Sequence, residues 1–318
     1  MKKKKVFSVC IVGTGKMAHA YANVIRKSLN LKLNYIISKN FKRALKFGSN
    51  YKAKAFKNLG HLKLHHEPNI IIVAITPSKL KHIIKYLTLF KKSKIYIEKP
   101  IGINYEENIK LLKILKKNKL SNFHVLLNRR FYKSTIDAQK VLKSHKQNTR
   151  YIVINNFHNF SFAPKNGFIG KKLKFWPYMN SIHLLDYFFI FGRSKILKVE
   201  RIFVRNFDKT KKVMIYKLYF KSGDIGIYNT HYNINGNWSV NIFSGEILIE
   251  LKPLEKLTVR FSDKIKKYDL EEKDRQFKPG LYRMVEGLIL KKNYIKNFNG
   301  DLNHSSKLMF LIKKIYNL

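Results

Sequence analysis

Acidic residues are scarce in this chain. Asp plus Glu number 19 against 65 Lys plus Arg in 318 residues, a formal net charge of +46, and the first carboxylate is Glu67. No group of His, Cys, Asp or Glu has metal-ligand spacing, so no metal is expected. No Gly-x-Ser-x-Gly turn is present, which leaves a serine hydrolase without support. Cysteine is limited to Cys10, so no disulfide forms within one chain and a reducing, cytoplasmic setting is expected. Long apolar runs are missing too. The most apolar stretches, Asn69 to Ile75 and Leu184 to Phe191, are about half the length that spans a bilayer, and no membrane partner is expected. A secretory signal fits poorly: Lys2 to Lys5 and Ala18-His19-Ala20 flank an apolar run of only Val6 to Val12, which ends in two glycines, a threonine and Lys16.

The surplus of cations raises the question of nucleic acid. The lysines are dispersed along helix faces such as Lys110, Lys113, Lys116 and Lys117, whereas specific readers cluster their cations and favour arginine. A solvated coat is the simpler reading, and no specific nucleic-acid partner is expected. The field still draws in anionic and phosphorylated small molecules.

With 45% hydrophobic residues, the chain can bury substantial cores, and its length suggests two domains. Strand-like and helical patterns alternate through the first third: Val6 to Val12, Met17 to Ser28, Asn34 to Ile37, Phe41 to Phe47, Ile70 to Ile75, Lys79 to Phe90, Lys94 to Ile97, Tyr105 to Lys117 and His124 to Asn128. That rhythm predicts a parallel sheet wrapped by helices. After Tyr151 one helix, Met179 to Phe191, precedes strand patterns from Lys198 to Phe261, some joined by short turns such as Lys221-Ser222-Gly223-Asp224, which predicts a mainly antiparallel sheet. Helical patterns return at Tyr282 to Lys291 and Ser305 to Tyr316. The expected boundary lies between Ser121 and Lys133, dividing the chain into 1–125 and 126–318.

The first strand runs into Gly13-Thr14-Gly15-Lys16-Met17-Ala18. A buried strand, a Gly-x-Gly-x-x-Ala turn and a helix place bare N–H groups at a positive helix end, the geometry for a dinucleotide pyrophosphate. Gly13 would make the tight turn, Gly15 would admit the phosphate, and Ala18 would keep helix and strand close. Further on, Thr76-Pro77-Ser78 with His82 follows one strand and Glu98-Lys99-Pro100 ends another. In an open parallel sheet these carboxyl ends line one crevice.

Together with Asn128-Arg129-Arg130-Phe131 and the helix bearing His183-Leu184-Leu185-Asp186, these motifs resemble the glucose-fructose oxidoreductase, inositol dehydrogenase and MocA family over nearly the whole chain. The resemblance implies an α/β protein with an N-terminal Rossmann domain and a C-terminal α+β domain bearing a large open sheet. It also implies hydride transfer to or from a sugar, polyol or sugar-nucleotide, and a constrained Lys99-Pro100 bond.

Lys99 is the leading catalytic candidate, since an ammonium at a strand end beside a nicotinamide can hydrogen-bond a developing alkoxide. His183 can exchange a proton with the substrate oxygen near neutral pH. Members of the family usually carry Asp four residues before that histidine, but this chain has Met179. His183 must therefore use Asn180 or another group, or the proton step falls to Lys99, or the chemistry is lost. Asp186, three residues on, is a potential partner for His183 or a structural bridge.

The cofactor site is expected to comprise Gly13, Thr14, Gly15, Lys16, Met17, Ser38, Lys39, Arg43, Thr76, Pro77, His82, Glu98, Lys99 and Asn128. At the end of the second strand, where NAD enzymes hold the ribose with an acid, this chain has Ser38-Lys39-Asn40 followed by Lys42 and Arg43, which favours NADP over NAD. The aperiodic stretch from Phe157 to Tyr178, rich in aromatics and lysines, is expected to cover a sugar or sugar-nucleotide pocket. A homo-oligomer built through the C-terminal sheet completes the expected partners.

Overall fold

The computed structural model describes residues 5–118, 122–145, 149–160, 163–164, 169–208, 211–290 and 301–318. Lys2 to Lys4, Ser121, Lys165 and Lys291, touched on in the sequence reading, lie outside them. By contact the chain forms two compact units, Met1–Asn128 with Gln276–Lys307, and Arg129–Arg275 with Leu308–Leu318.

The first unit is built on β1 (Phe7–Val12), β2 (Leu31–Ile37), β3 (Lys54–Phe56), β4 (Ile70–Val73), β5 (Lys94–Glu98) and β6 (Phe123–Leu126), which form one sheet in the order β3-β2-β1-β4-β5-β6. Every pairing is parallel. The four residues of β4 are all buried, as are Val9 to Val12 of β1. Such continuous apolar strands need cover on both faces. The cover comes from α1 (Lys16–Lys27), α2 (Phe41–Tyr51), α3 (Leu59–His65), α4 (Pro77–Leu87) and α5 (Tyr105–Lys117). Asn40, Asn58 and Asn104 cap α2, α3 and α5 by accepting from backbone N–H groups, while Pro77 opens α4. The strand order reverses between β1 and β4, the switch point at which open α/β sheets bind ligands.

The second unit opens with α6 (Lys133–Ser144) and β7 (Tyr151–His158), followed by α7 (Trp176–Asn180) and α8 (Ile182–Phe191). Seven further strands follow: β8 (Ile196–Asn206), β9 (Lys212–Phe220), β10 (Ile225–Tyr232), β11 (Ser239–Ser244), β12 (Ile247–Leu251), β13 (Leu257–Arg260) and β14 (Ile265–Tyr268). The sheet runs β14-β13-β12-β11-β7-β10-β9-β8, antiparallel throughout except for β10 against β7. One face is buried, by Ile152, Ile154, Tyr228, Met214 and Leu218 among others, and α8 packs against β7. The chain then forms α9 (Glu272–Gln276), α10 (Leu281–Met284) with a π-helical turn Val285–Ile289, and α11 (Leu302–Tyr316).

The α/β architecture matches the sequence expectation, with β3, α3, α6, β7, β14 and α9 added to the expected elements. The strand β7 sits mid-sheet, yet its sequence YIVINNFH carries Asn156 and His158 on the buried face, which conceals the alternation. Helix α6 buries Ser134, Thr135 and Asp137, so its apolar period is weak. The single helix expected over Met179 to Phe191 is α8 with a short helix, α7, before it, hinged at Ser181.

Candidate functional site

Gly13 lies where β1 passes between β2 and β4. Its N–H donates to the Ile37 carbonyl at 2.8 Å and the Ala74 N–H donates to the Val12 carbonyl at 2.8 Å. With φ at +114°, and with any Cβ falling 2.3 Å from the Ala74 carbonyl oxygen, only glycine fits. Gly15 is different: its φ is −88°, which any residue adopts, and an added Cβ would have no neighbour within 4 Å. The fold does not require glycine there. Gly15 is the N-cap of α1, without a side-chain cap and without an acid in the first turn. Bare N–H groups at a positive helix end, beside space a side chain would otherwise fill, suit the pyrophosphate of a dinucleotide.

Around the turn, the same sheet edge brings the other expected residues to the carboxyl ends of β2, β4 and β5. Ser38 is half-buried after β2 and its N–H donates to the Phe56 carbonyl at 3.3 Å, while Lys39 and Arg43 are exposed. Thr76 is the exposed N-cap of α4 and Pro77 its buried first residue. His82 is exposed in the second turn of α4. Asn128 donates to the Pro279 carbonyl at 3.2 Å, which ties the end of the first segment to the segment that returns.

Lys99 follows β5, half-buried, with a cis bond to Pro100. Beside it Glu98 accepts from the Tyr21 hydroxyl at 2.5 Å. Burial raises the Glu98 pKa, while the Tyr21 hydroxyl, the charges of Lys99 and Lys278 and the Lys99 N–H oppose that rise. Burial, then the Glu98 charge, pushes the Tyr21 pKa well up. The Lys278 ammonium lies 3.3 Å from Met17 Sδ in the first turn of α1. Tyr21 and Lys278 were not foreseen: Tyr21 reads as one apolar position of an amphipathic helix, and Lys278 is one lysine among many in a distant segment.

In the second unit His183 is buried in the first turn of α8. Asp186 binds Arg130 through both oxygens, at 2.6 Å from Nε and 2.5 Å from a terminal nitrogen, which is a structural bridge. Met179, half-buried, packs against the buried pair Ala163 and Trp176, as do Phe160, Leu173 and Phe175. Asn180 points its amide toward His158 Nδ1 at 3.5 Å.

His158 belongs to a buried polar cluster that sequence reasoning missed. The Tyr316 hydroxyl lies within 2.7 to 3.3 Å of Tyr228, Ser181, His158, Thr230 and Asn156. Burial lowers the His158 pKa to about 3, so the imidazole is neutral. Beside the cluster is a cavity of about 580 Å³ lined by Trp176, Trp238, Asn159, Asn180, Asn235 and Asn237 among others. Both tryptophans of the chain line it. Indole faces with convergent amides suit the C–H faces and hydroxyls of a sugar. Of the expected aromatic stretch, Phe157 and Trp176 reach this cavity, while Lys171, Lys172 and Lys174 are exposed. Among the described residues no cluster of His, Cys, Asp and Glu could hold a metal, and no helix is long and apolar enough to cross a membrane.

Residues 7–126 match the model of an oxidoreductase family described as having an NAD-binding Rossmann fold. No curated protein matches the sequence. Among solved structures, a dehydrogenase from Chromobacterium violaceum superposes with a TM-score of 0.78 at 15% identity, covering 98% of this chain and 94% of that one. A dehydrogenase from Clostridium difficile gives 0.72 at 19% identity, over 98% and 99%. A UDP-N-acetylglucosamine 3-dehydrogenase from Acidithiobacillus ferrooxidans gives 0.73 at 12% identity, over 98% and 97%. At these identities the likeness is one of fold.

Proposed function

We propose that this chain, whose residues 7–126 match the model of an oxidoreductase family with an NAD-binding Rossmann fold and whose motifs resemble the glucose-fructose oxidoreductase, inositol dehydrogenase and MocA family, acts on a sugar, polyol or sugar-nucleotide and prefers NADP. The observation that carries the reading is Gly15: a glycine the fold does not need, at an uncapped helix end with open space above it. Gly13 to Met17 would hold the pyrophosphate, Thr76 and Pro77 would line the crevice, and Ser38, Lys39 and Arg43 would meet the adenosine ribose, where a hydroxyl and two cations suit a 2′-phosphate better than a 2′-hydroxyl. The cofactor, when bound, supplies or accepts the hydride.

The chain's own residues supply the polar part of the chemistry. Lys99 donates to the substrate oxygen as it gains or loses charge, an interaction made chiefly in the transition state. His183 exchanges the proton of that oxygen, without a carboxylate at position 179 to orient it. The cavity beside Asn180 supports a sugar as the reacting group, and the spread of the lysines supports a small anionic ligand rather than a specific nucleic-acid site. Self-association through the large sheet is part of the reading, supported by the exposed Leu197, Ile202, Phe203 and Val204 of its edge strand β8.

Titration with NADPH and NADH tests the cofactor assignment: NADPH binds at lower concentration, and Gly15→Val abolishes both by filling the phosphate space. Equal or reversed affinity refutes the NADP preference. Lys99→Ala lowers turnover by about a hundredfold or more with cofactor affinity nearly unchanged. A second reading, binding without turnover, is favoured by Met179, which packs against Ala163 and Trp176 where the family carries an acid. Tight NADPH binding with no sugar turned over would select it.

A further inference from the structure

The strand β3 runs parallel to β2, with Tyr35 opposite Lys54 and Ile37 opposite Phe56. Phe56 holds that register: it is buried, its ring edge-on to Tyr35 at 6.0 Å. Beyond the last pair the Ser38 N–H donates to the Phe56 carbonyl at 3.3 Å, so Ser38 and Lys57 leave the sheet edge as neighbours. The Lys57 ammonium lies 5.5 Å from the centroid of Phe41, which opens α2 between Lys39 and Arg43 in the chain. An ammonium on a ring face still has its hydrogens to donate. Among the described residues Lys57 has no hydrogen-bond or ion-pair partner.

The stretch of chain around it supplies no acid to neutralise it. The first carboxylate, Glu67, is engaged by the Lys63 ammonium at 2.5 Å and by the Lys92 N–H at 3.0 Å. Lys57 also borders open space, a cavity of about 530 Å³ whose walls include Phe41, Phe56, Lys54, His61 and His66 and no carboxylate. A phosphate monoester carries about two negative charges at neutral pH, so it draws on each cation in reach, whereas a hydroxyl does not. We propose that Lys57 is a specificity-determining residue for the cofactor, donating from β3 to the 2′-phosphate of NADP beside Ser38. The inference rests on the NADP reading above and adds to it a contact from outside the turn that follows β2.

Cofactor fluorescence reads binding without any substrate. The full chain and its Lys57 and Lys54 variants are titrated with NADPH and NADH. Lys57→Met keeps apolar contact with Phe41 but removes the charge, and it should lose about tenfold in NADPH affinity and leave NADH unchanged. Lys57→Arg keeps a cation there and should retain most of the preference. Lys57→Gln serves if the methionine variant does not fold. Adenosine 2′,5′-bisphosphate and adenosine 5′-phosphate, used as competitors of NADPH, locate the lost contact: only the bisphosphate should weaken in Lys57→Met.

Lys54 lines the same cavity, 5.5 Å from the centroid of Phe56, but it opens β3 opposite Tyr35, away from Ser38. Lys54→Met should change neither affinity, which separates a specific contact from the general field of the chain. In a parent chain that prefers NADPH, equal losses for NADPH and NADH in Lys57→Met, no loss for either, or equal losses in the Lys54 and Lys57 variants overturn the assignment and leave the NADP reading intact. If the parent itself binds NADPH no better than NADH, the NADP reading falls, and this assignment with it.

Discussion

In the first unit the residues expected to meet a ligand are placed by backbone. Gly13 has one permitted conformation between two strands, and Gly15 sits at a helix end that needs no side chain to act. In the second unit the side chains converge from separate elements: Arg130 precedes α6, Asp186 is on α8, His158 on β7, Tyr228 on β10 and Tyr316 on α11. The first plan needs a short, ordered motif; the second needs the whole fold. Substitutions should therefore act through local geometry in one unit and through loss of buried partners in the other.

The largest effect is expected at the paired charges. Asp186→Asn leaves the Arg130 guanidinium buried without its counter-ion and should cost about 3–5 kcal/mol in urea unfolding. A loss below about 1 kcal/mol would show that Arg130 finds water or another acid. The pH profile comes next. The folded pKa of His158 is lowered to about 3 from an ordinary 6.5, so its contribution to stability is complete above about pH 6.5. It is lost as pH falls through that window toward 3, because the unfolded state binds the proton first. For one such group the slope is about 1.4 kcal/mol per pH unit, and His158→Gln should flatten it. An unchanged slope would assign the acid sensitivity to other groups, among them His124 and His231, whose pKa values burial also lowers.

The two glycines bring the comparison to its sharpest point. Gly13→Ala meets the Ala74 carbonyl at a positive φ and should cost about 2 kcal/mol or more. Gly15→Ala should leave stability within about 0.5 kcal/mol of the parent and lower NADPH affinity, since the methyl group stands in the phosphate space. If Gly15→Ala were as destabilising as Gly13→Ala, Gly15 would be a packing residue and the argument for the cradle would fail.

The legibility of this chain in sequence follows the same division. The parallel sheet was readable because Val9 to Val12 of β1 and Ile70 to Val73 of β4 are uninterrupted apolar runs followed by Gly13 and, past Thr76, by Pro77, and the turn was readable because glycine spacing encodes backbone geometry. Asp186 was not. Spacing places it near His183 along one helix, and nothing local shows that Arg130 arrives from more than fifty residues away. The polar cluster was hidden for a related reason: Asn156 and His158 look like surface residues until Ser181, Tyr228 and Tyr316 enclose them. Lys99 was visible only through its neighbours Glu98 and Pro100, whereas Tyr21, which holds Glu98, carries no pattern of its own.

One feature of the first unit bears on how the chain reaches this state. The unit is discontinuous: Gln276–Lys307 returns to it after the whole second sheet has been made. That segment brings Lys278 to Met17, offers the Pro279 carbonyl to Asn128 and packs Leu302 against the buried core that holds Cys10, Ile71 and Ile97. During synthesis the six strands can pair early, but the first unit stays incomplete until the polypeptide beyond residue 275 is available. The intervening stretch closes as one long loop, for which each doubling of length adds only about 0.6 kcal/mol of entropy cost. A fragment ending at Asn128 should therefore form the sheet yet expose the apolar surface that Leu302 covers, and show weaker protection from proteases than the same residues in the full chain.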